Sequence, residues 1–209
     1  MTAEGYTSAT GSRSRRRLLL RRLGGAEGNG ILTSTVAVVL TVLLVAEGIT
    51  IIDVAALVSA HMFIGMVLLP PVALKLASTG YRALRYYTRA RPYRTLGPPR
   101  PPLRLLAPAL VASTIAIFVT GVMLLALGYK AGMVLEIHKV AFIVFGVLFI
   151  PHLLAYTPRV VRSLRQDWTA LRREQVPGSG LRAMLVALAA GGGAALALAV
   201  FHAIQVWRA

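Results

Sequence analysis

The stretch LEIHKVAFIVFGVLFIPHLLAY, residues 135–156, is apolar over most of its length and carries two histidines, His138 and His152. A helix of about 20 apolar residues crosses the hydrocarbon core of a bilayer. The stretch therefore predicts a membrane-spanning helix. An imidazole without a polar or metal partner in hydrocarbon costs several kcal/mol. Each histidine is expected to have a partner inside the membrane.

The composition of the whole chain is that of a membrane protein. Of its 209 residues, 56% are hydrophobic and 14% are charged, against about 45–50% and about 25% in soluble domains. The chain has no cysteine, which excludes disulfides, iron–sulfur ligation and covalent c-type haem attachment. Its net charge of +16 comes from basic blocks between apolar segments. That distribution fits the positive-inside rule, and no nucleic-acid partner is expected.

Five apolar segments predict an all-α fold, a polytopic membrane helical bundle with five transmembrane helices. We interpret residues 1–30 as a disordered basic cytoplasmic tail, and residues 31–209 as a single transmembrane helical domain. The predicted spans are residues 31–52, 54–78, 103–128, 132–156 and 181–207.

The arginine-rich loops predict the orientation in the cell (plasma) membrane. Residues 81–104 hold seven arginines and residues 158–175 hold five. Both loops and the N-terminus are therefore expected inside, next to anionic lipid headgroups, with the C-terminus outside. Residues 158–174 form either an amphipathic surface helix or a solvated loop.

The two histidines of the fourth span share one helical face. Fourteen residues separate them, which corresponds to about 40° around the helix and about 21 Å along its axis. Phe142, Phe145 and Phe149 lie between them on that face. Such a stripe either faces flat aromatic ligands or is an aromatic packing seam.

The second span carries a histidine at the same expected depth as His138. This residue, His61, is followed one turn later by Gly65, which leaves room beside the helix, and fourteen residues later by Lys75. Two imidazoles at one level on different helices suit a six-coordinate haem iron. Two other interpretations stay open: histidines hydrogen-bonded to neighbouring helices, and a proton or substrate pathway.

The other histidines have less certain partners. His152 is expected opposite Lys75, which would either hold a haem propionate or, as we favour, extend to the headgroups. One haem is therefore favoured over two. His202 lies near the end of the fifth span, and we favour an interfacial position beside Trp207 over a ligand role.

Other residues of the spans bear on packing and on acid–base chemistry. Kinks are expected at Pro70–Pro71 and at Pro151. The glycines at 191–193 predict a close helix contact. The acidic residues nearest His61 and His138 are expected at the membrane interface, with assistance to proton uptake or to a ligand histidine as the alternative; they are Glu47, Asp53 and Glu136.

The chain resembles the bacterial di-haem b-type membrane cytochromes, the four-helix subunits that carry electrons for hydrogenases and other oxidoreductases. The resemblance rests on HMFIG from His61 and on HKVAFIVFGVLFIPH from His138 to His152. It implies a four-helix cytochrome-b-like core with non-covalent haem b, outer-haem ligands at His61 and His138, and an inner-haem ligand at His152. Lys75 stands where such proteins have the other inner histidine.

The sequence thus predicts a membrane protein that binds haem b between His61 and His138 and transfers electrons to or from a redox partner protein or quinone. The alternative is a non-redox transporter or channel subunit, or a scaffold, with structurally hydrogen-bonded histidines. No hydrolase motif occurs, so any enzymatic role is that of an oxidoreductase subunit. The predicted metal ligands are His61, His138 and His152, and the other predicted cofactor contacts are Gly65, Lys75, Phe142, Phe145 and Phe149.

Overall fold

The protein is helical throughout the part that the structure describes. The computed structural model describes residues 24–95, 97, 101–128, 132–167 and 176–207. Five helices are long and apolar enough to cross a membrane, which confirms the predicted all-α organisation with five candidate spans. The helices are α1 (Gly25–Ile52), α2 (Val54–Tyr87), α3 (Arg91–Arg94), α4 (Pro101–Leu127), α5 (Gly132–Asp167), α6 (Ser179–Ala199) and α7 (Phe201–Val206).

Several helices extend beyond the predicted spans. α1 begins six residues before the predicted start at residue 31, and α2 continues nine residues past the predicted end at residue 78. The added turn of α1 contacts the predicted end of the second span, where the buried Asn29 donates from Nδ2 to the Ser78 carbonyl at 3.2 Å. Residues 25–30 of the predicted tail thus belong to α1, and residues 1–23 lie outside the described residues.

α5 likewise runs past the predicted end of the fourth span. It continues from residue 156 to Asp167, so the first part of the predicted amphipathic segment 158–174 extends the spanning helix. Residues 168–174 of that segment lie outside the described residues. In the last predicted span the helix ends at Ala199, and Val200 separates α6 from the short α7.

A kink was expected in the second span at Pro70–Pro71, but the non-helical backbone of this span lies near its start. Asp53 is the single residue between α1 and α2, and its Oδ1 caps α2 by accepting from the Ala56 amide at 2.9 Å. Within α2 the non-helical dihedrals occur at Leu57 (φ −106, ψ 16), and the helix passes through Pro70 and Pro71. The break follows from the one-residue turn, which forces the chain to reverse before α2 becomes regular.

Four helices pack in a ring. α1 packs against α2 and α5, and α4 packs against α5 and α2. α2 and α5 are therefore at opposite corners, and over the described residues they are not closely packed against each other. An apolar core joins α1 to α2, formed by the buried side chains of Leu32, Val36, Leu40 and Leu68.

The fifth long helix lies against the outside of this ring. α6 packs mainly on α2. A Cβ built on Gly193 of α6 would lie 3.0 Å from the carbonyl carbon of Val67 on α2. Ala197, one turn further along, is completely buried. Small residues four apart let membrane helices approach closely. The close contact predicted at residues 191–193 is confirmed at Gly193.

Candidate functional site

The structure brings His61 and His138 together between opposite corners of the four-helix ring. Their ring centroids are 6.3 Å apart, and the ring planes are nearly perpendicular at 86°. His61 belongs to α2 and His138 to α5. Since these helices are not closely packed, the two imidazoles reach towards each other across the space between them. We call them the histidine pair.

His61 is held by the last two turns of α1. Its Nδ1 lies 3.0 Å from Thr50 Oγ1 and 3.0 Å from Glu47 Oε1. Both partners are largely shielded, with Thr50 4% exposed and the Glu47 side chain 14% exposed. A Cβ on Gly65 would lie 3.6 Å from Glu47 Oε1. The Glu47 carboxyl group thus lies in the room that the sequence predicted beside Gly65.

His138 is held by α4 in a similar way. Its Nδ1 lies 2.9 Å from Oγ1 of the buried Thr120, and the Ile117 carbonyl also interacts with the ring. A Cβ on Gly121 would be 3.4 Å from His138 Cε1, so this glycine lets the imidazole lie against α4. Each ring is therefore anchored through Nδ1 to a buried threonine.

The threonine hydroxyls determine which nitrogen of each ring carries the proton. Thr50 donates its hydroxyl hydrogen to the Glu47 carbonyl at 2.6 Å, and Thr120 donates to the Ala116 carbonyl at 2.6 Å. A hydroxyl has one hydrogen to donate, so towards each imidazole the oxygen acts as an acceptor. We therefore assign Nδ1–H to both rings from the hydrogen-bond network. In the neutral imidazole this leaves the lone pair on Nε2, the ring nitrogen that a metal would bind.

The aromatic stripe of α5 lies on the same face as His138. Phe142 is 38% exposed although it follows His138 by one turn. Phe145 and Phe149 are half-buried and stack on each other, with centroids 5.0 Å apart and planes 14° from parallel. Other helices therefore cover these aromatic side chains of α5 only in part.

Lys75 and His152 have other partners. Lys75 Nζ donates to the Thr33 carbonyl of α1 at 2.8 Å, in place of the extension to headgroups that the sequence favoured. His152 packs on Tyr156 with ring centroids 4.6 Å apart, and it is near enough to Lys75 for an electrostatic interaction. Lys75 thus lies near His152 as the sequence predicted, but its ammonium group donates to a backbone carbonyl of α1 instead of extending to the headgroups.

His202 is exposed on α7. In the described part of the chain it is not brought to the histidine pair. The neighbouring Trp207 donates from Nε1 to the Leu124 carbonyl of α4 at 2.8 Å. This places the end of the α6–α7 segment against α4.

The histidine pair offers two imidazole ligands and no larger cluster. Among the described residues, no group of three or more histidine, cysteine, aspartate or glutamate side chains is arranged to hold a metal ion. A bare metal site built by the protein alone would need three or four such ligands. Two opposed imidazoles are instead the donor set for a metal whose other positions are filled by a macrocycle.

Of the residues that anchor the pair, the sequence pointed only to Glu47, and only as the less favoured alternative of assisting a ligand histidine. Glu47 was expected at the membrane interface, and Thr50, Thr120 and Gly121 were not singled out. One signal was available: Glu47 and Thr50 are polar, three residues apart, and lie near the end of an apolar span. Helix residues with that spacing share a face, and polar groups on one face of a span require a partner.

No protein-family model, no curated protein and no solved structure matches this chain.

Proposed function

We propose that this protein is a membrane electron-transfer protein that binds haem b non-covalently between α2 and α5, where His61 and His138 would hold the iron. When bound, the haem supplies the one-electron iron chemistry. The protein contributes the two imidazoles, the hydrogen bonds that orient them, and an environment shielded from water.

The separation of the two rings is the observation that carries the proposal. A metal–imidazole bond is about 2.0 Å long and a ring nitrogen lies about 1.1 Å from its centroid, so two rings on opposite sides of one metal have centroids about 6.2 Å apart. The observed separation is 6.3 Å. With Nδ1 of each ring bonded to threonine, Nε2 is the nitrogen left on each side for the iron.

The surroundings of the pair also suit a flat macrocycle. α2 and α5 stand at opposite corners of the four-helix ring without close packing, and on α5 the exposed Phe142 and the Phe145–Phe149 stack share the helical face of His138. A porphyrin between these helices would cover those faces, which are otherwise only partly buried. The bond from Lys75 to the Thr33 carbonyl favours one haem over two, because a lysine held in this way is a poor iron ligand.

The arginine distribution supports a proposal for orientation. We infer that the N-terminus and both arginine-rich loops face the cytoplasm, beside anionic lipid headgroups of the cell membrane, and that the C-terminus is outside. A redox protein or a quinone would then exchange electrons with the haem.

A non-redox membrane protein is the second candidate, and one observation favours it. Both Nδ1 atoms already have threonine partners, and a perpendicular ring contact at 6.3 Å lies within the range of about 4.5–7 Å found for aromatic pairs. On this alternative the histidines would join helices of a transporter, channel subunit or scaffold, and no cofactor would absorb visible light.

The two candidates differ in the absorption spectrum of the purified protein. We expect a Soret band after expression with an ample haem supply, and we expect His61→Ala and His138→Ala each to abolish the six-coordinate spectrum. His202→Ala is the matched control, because His202 is exposed on α7, and it should retain the wild-type spectrum. Wild-type protein that is folded and colourless would refute the haem proposal in favour of the second candidate.

A further inference from the structure

The two imidazoles of the histidine pair are anchored unequally. His138 Nδ1 has the Thr120 hydroxyl as its side-chain partner, whereas His61 Nδ1 has both the Thr50 hydroxyl and the Glu47 carboxyl group. We propose that Glu47 is a positioning residue that strengthens His61 as an iron ligand and makes the two axial ligands inequivalent. This inference rests on the proposed haem function.

The position of Glu47 is unusual for a packing residue. An acidic side chain within a membrane span is costly and usually serves a function. Glu47 Oε1 lies 3.0 Å from His61 Nδ1, while its Oε2 is buried with no hydrogen-bond partner in the described part of the chain. Among the described residues, the interaction with His61 is therefore what offsets the burial of this carboxyl group.

Three features hold the carboxyl group at the ring. Glu47 and Thr50 are one turn apart on α1, and the Thr50 hydroxyl is tied to the Glu47 carbonyl at 2.6 Å. On the α2 side Gly65 has no side chain, and a Cβ there would lie 3.6 Å from Oε1. The carboxyl group thus reaches His61 along the surface of α2, and the one-residue turn at Asp53 fixes α1 against α2.

A carboxylate that accepts the Nδ1 proton makes an imidazole a stronger donor at Nε2. Such partners of ligand histidines fix the tautomer and the ring orientation, and they raise ligand basicity. A more basic axial ligand stabilises ferric over ferrous iron, and hydrogen bonding around the ligands is one of the levers on reduction potential. The threonine hydroxyls orient both rings, but only Glu47 adds a carboxyl group.

The test measures the midpoint potential of the haem-loaded protein and three variants. We expect Glu47→Gln to keep the haem and to shift the potential upward, because the amide retains an acceptor oxygen but lacks the acidic group that can share the Nδ1 proton. Thr50→Val keeps the carboxyl group and should shift the potential less. Glu136→Gln is the matched control: Glu136 pairs with Lys139 at 2.8 Å on the exposed surface, and its removal should leave the potential unchanged.

A second measurement does not require haem. In folded protein without haem, the ¹⁵N resonances of His61 should report a proton on Nδ1 in a strong hydrogen bond, and this signal should weaken in Glu47→Gln and persist in Glu136→Gln. If Glu47→Gln folds but loses haem, the weakened His61 signal would support the positioning role. An unchanged His61 signal would overturn it.

The failures of the two proposals are distinguishable. If the folded wild-type protein binds no haem, the proposed function fails. If it binds haem and Glu47→Gln leaves the potential and the His61 resonances unchanged, or if Thr50→Val shifts the potential as much as Glu47→Gln does, the role of Glu47 is refuted while the haem site stands.

Discussion

Replacement of Gly193 by alanine tests the packing of α6 on the four-helix ring. The new Cβ would lie 3.0 Å from the Val67 carbonyl carbon and 3.2 Å from its Cα, and closer still to the carbonyl oxygen. These are backbone atoms of α2 and cannot rotate away, so the two helices must separate. Forcing extra volume into a packed contact costs about 1–3 kcal/mol.

The adjacent glycine provides a matched control. A Cβ on Gly192 has no neighbour within 4 Å, and alanine is a better helix former than glycine by about 0.8–1.0 kcal/mol. We therefore expect Gly192→Ala to leave stability unchanged or to raise it by up to about 1 kcal/mol. Gly193→Ala should lower the free energy of unfolding by about 1–3 kcal/mol relative to Gly192→Ala.

Unfolding in mixed micelles measures this difference. Purified variants in mild detergent are titrated with increasing mole fractions of sodium dodecyl sulfate, and the loss of helicity is followed by circular dichroism. Gly193→Leu should give a larger loss than Gly193→Ala because its side chain has more volume. Equal stability of Gly193→Ala and Gly192→Ala would refute the close approach of α6 to Val67.

Two further predictions concern residues outside the histidine pair. Arg182 is buried and donates to the Pro177 and Val176 carbonyls at 2.8 and 3.4 Å. Arg182→Met should therefore lower the free energy of unfolding by roughly 1.5–3 kcal/mol in the same micelle assay. An unchanged unfolding midpoint would contradict this anchoring role. The pKa of Tyr93 is raised from 10.0 to about 12, chiefly because the phenol is buried and secondly because Tyr81 lies beside it. Because the folded protein then holds this proton more tightly than the unfolded chain, the associated stability is present below pH 10 and is lost as the pH rises towards about 12. Ultraviolet titration should show one phenol that ionises at higher pH than the others and that is missing in Tyr93→Phe. Ionisation of all the tyrosines over the same pH range would refute the raised pKa of Tyr93.

Hydropathy predicted the number of candidate spans correctly, but it did not predict the residues at which the helices begin and end. Apolar runs long enough to cross a bilayer are visible in the sequence, and five such helices are present. Hydropathy falls where polar residues begin, whereas a helix continues wherever its polar side chains find partners. Asn29 precedes the predicted start of span one, and its side chain donates to the Ser78 carbonyl at the predicted end of span two, so it has a partner where the hydropathy has already fallen.

The approach of His61 and His138 was also predictable, because both positions could be counted from the ends of spans that run in the same direction. Their separation and ring orientation depend on Thr50 and Thr120, which lie on other helices. Partners of this kind require knowledge of which helices are neighbours and how they are rotated. Periodicity within one span cannot provide that knowledge.

The prediction for Lys75 shows the same limit. A lysine near the end of a span is expected to extend towards headgroups, yet its ammonium group donates to the Thr33 carbonyl of the adjacent helix. The choice depends on whether a neighbouring helix offers an acceptor nearby. In this protein α1 offers one, since it packs along α2 as the other half of a tight hairpin.

Low-temperature electron paramagnetic resonance of the oxidised protein, purified after expression with an ample haem supply, tests the proposed haem site most directly. Imidazole planes at 86° to each other, on opposite sides of one iron, should give a low-spin ferric signal with the large anisotropy of nearly perpendicular ligands. His138→Ala should convert that signal to a high-spin one. A high-spin wild-type signal, or folded protein that takes up no haem, would contradict ligation of one iron by His61 of α2 and His138 of α5.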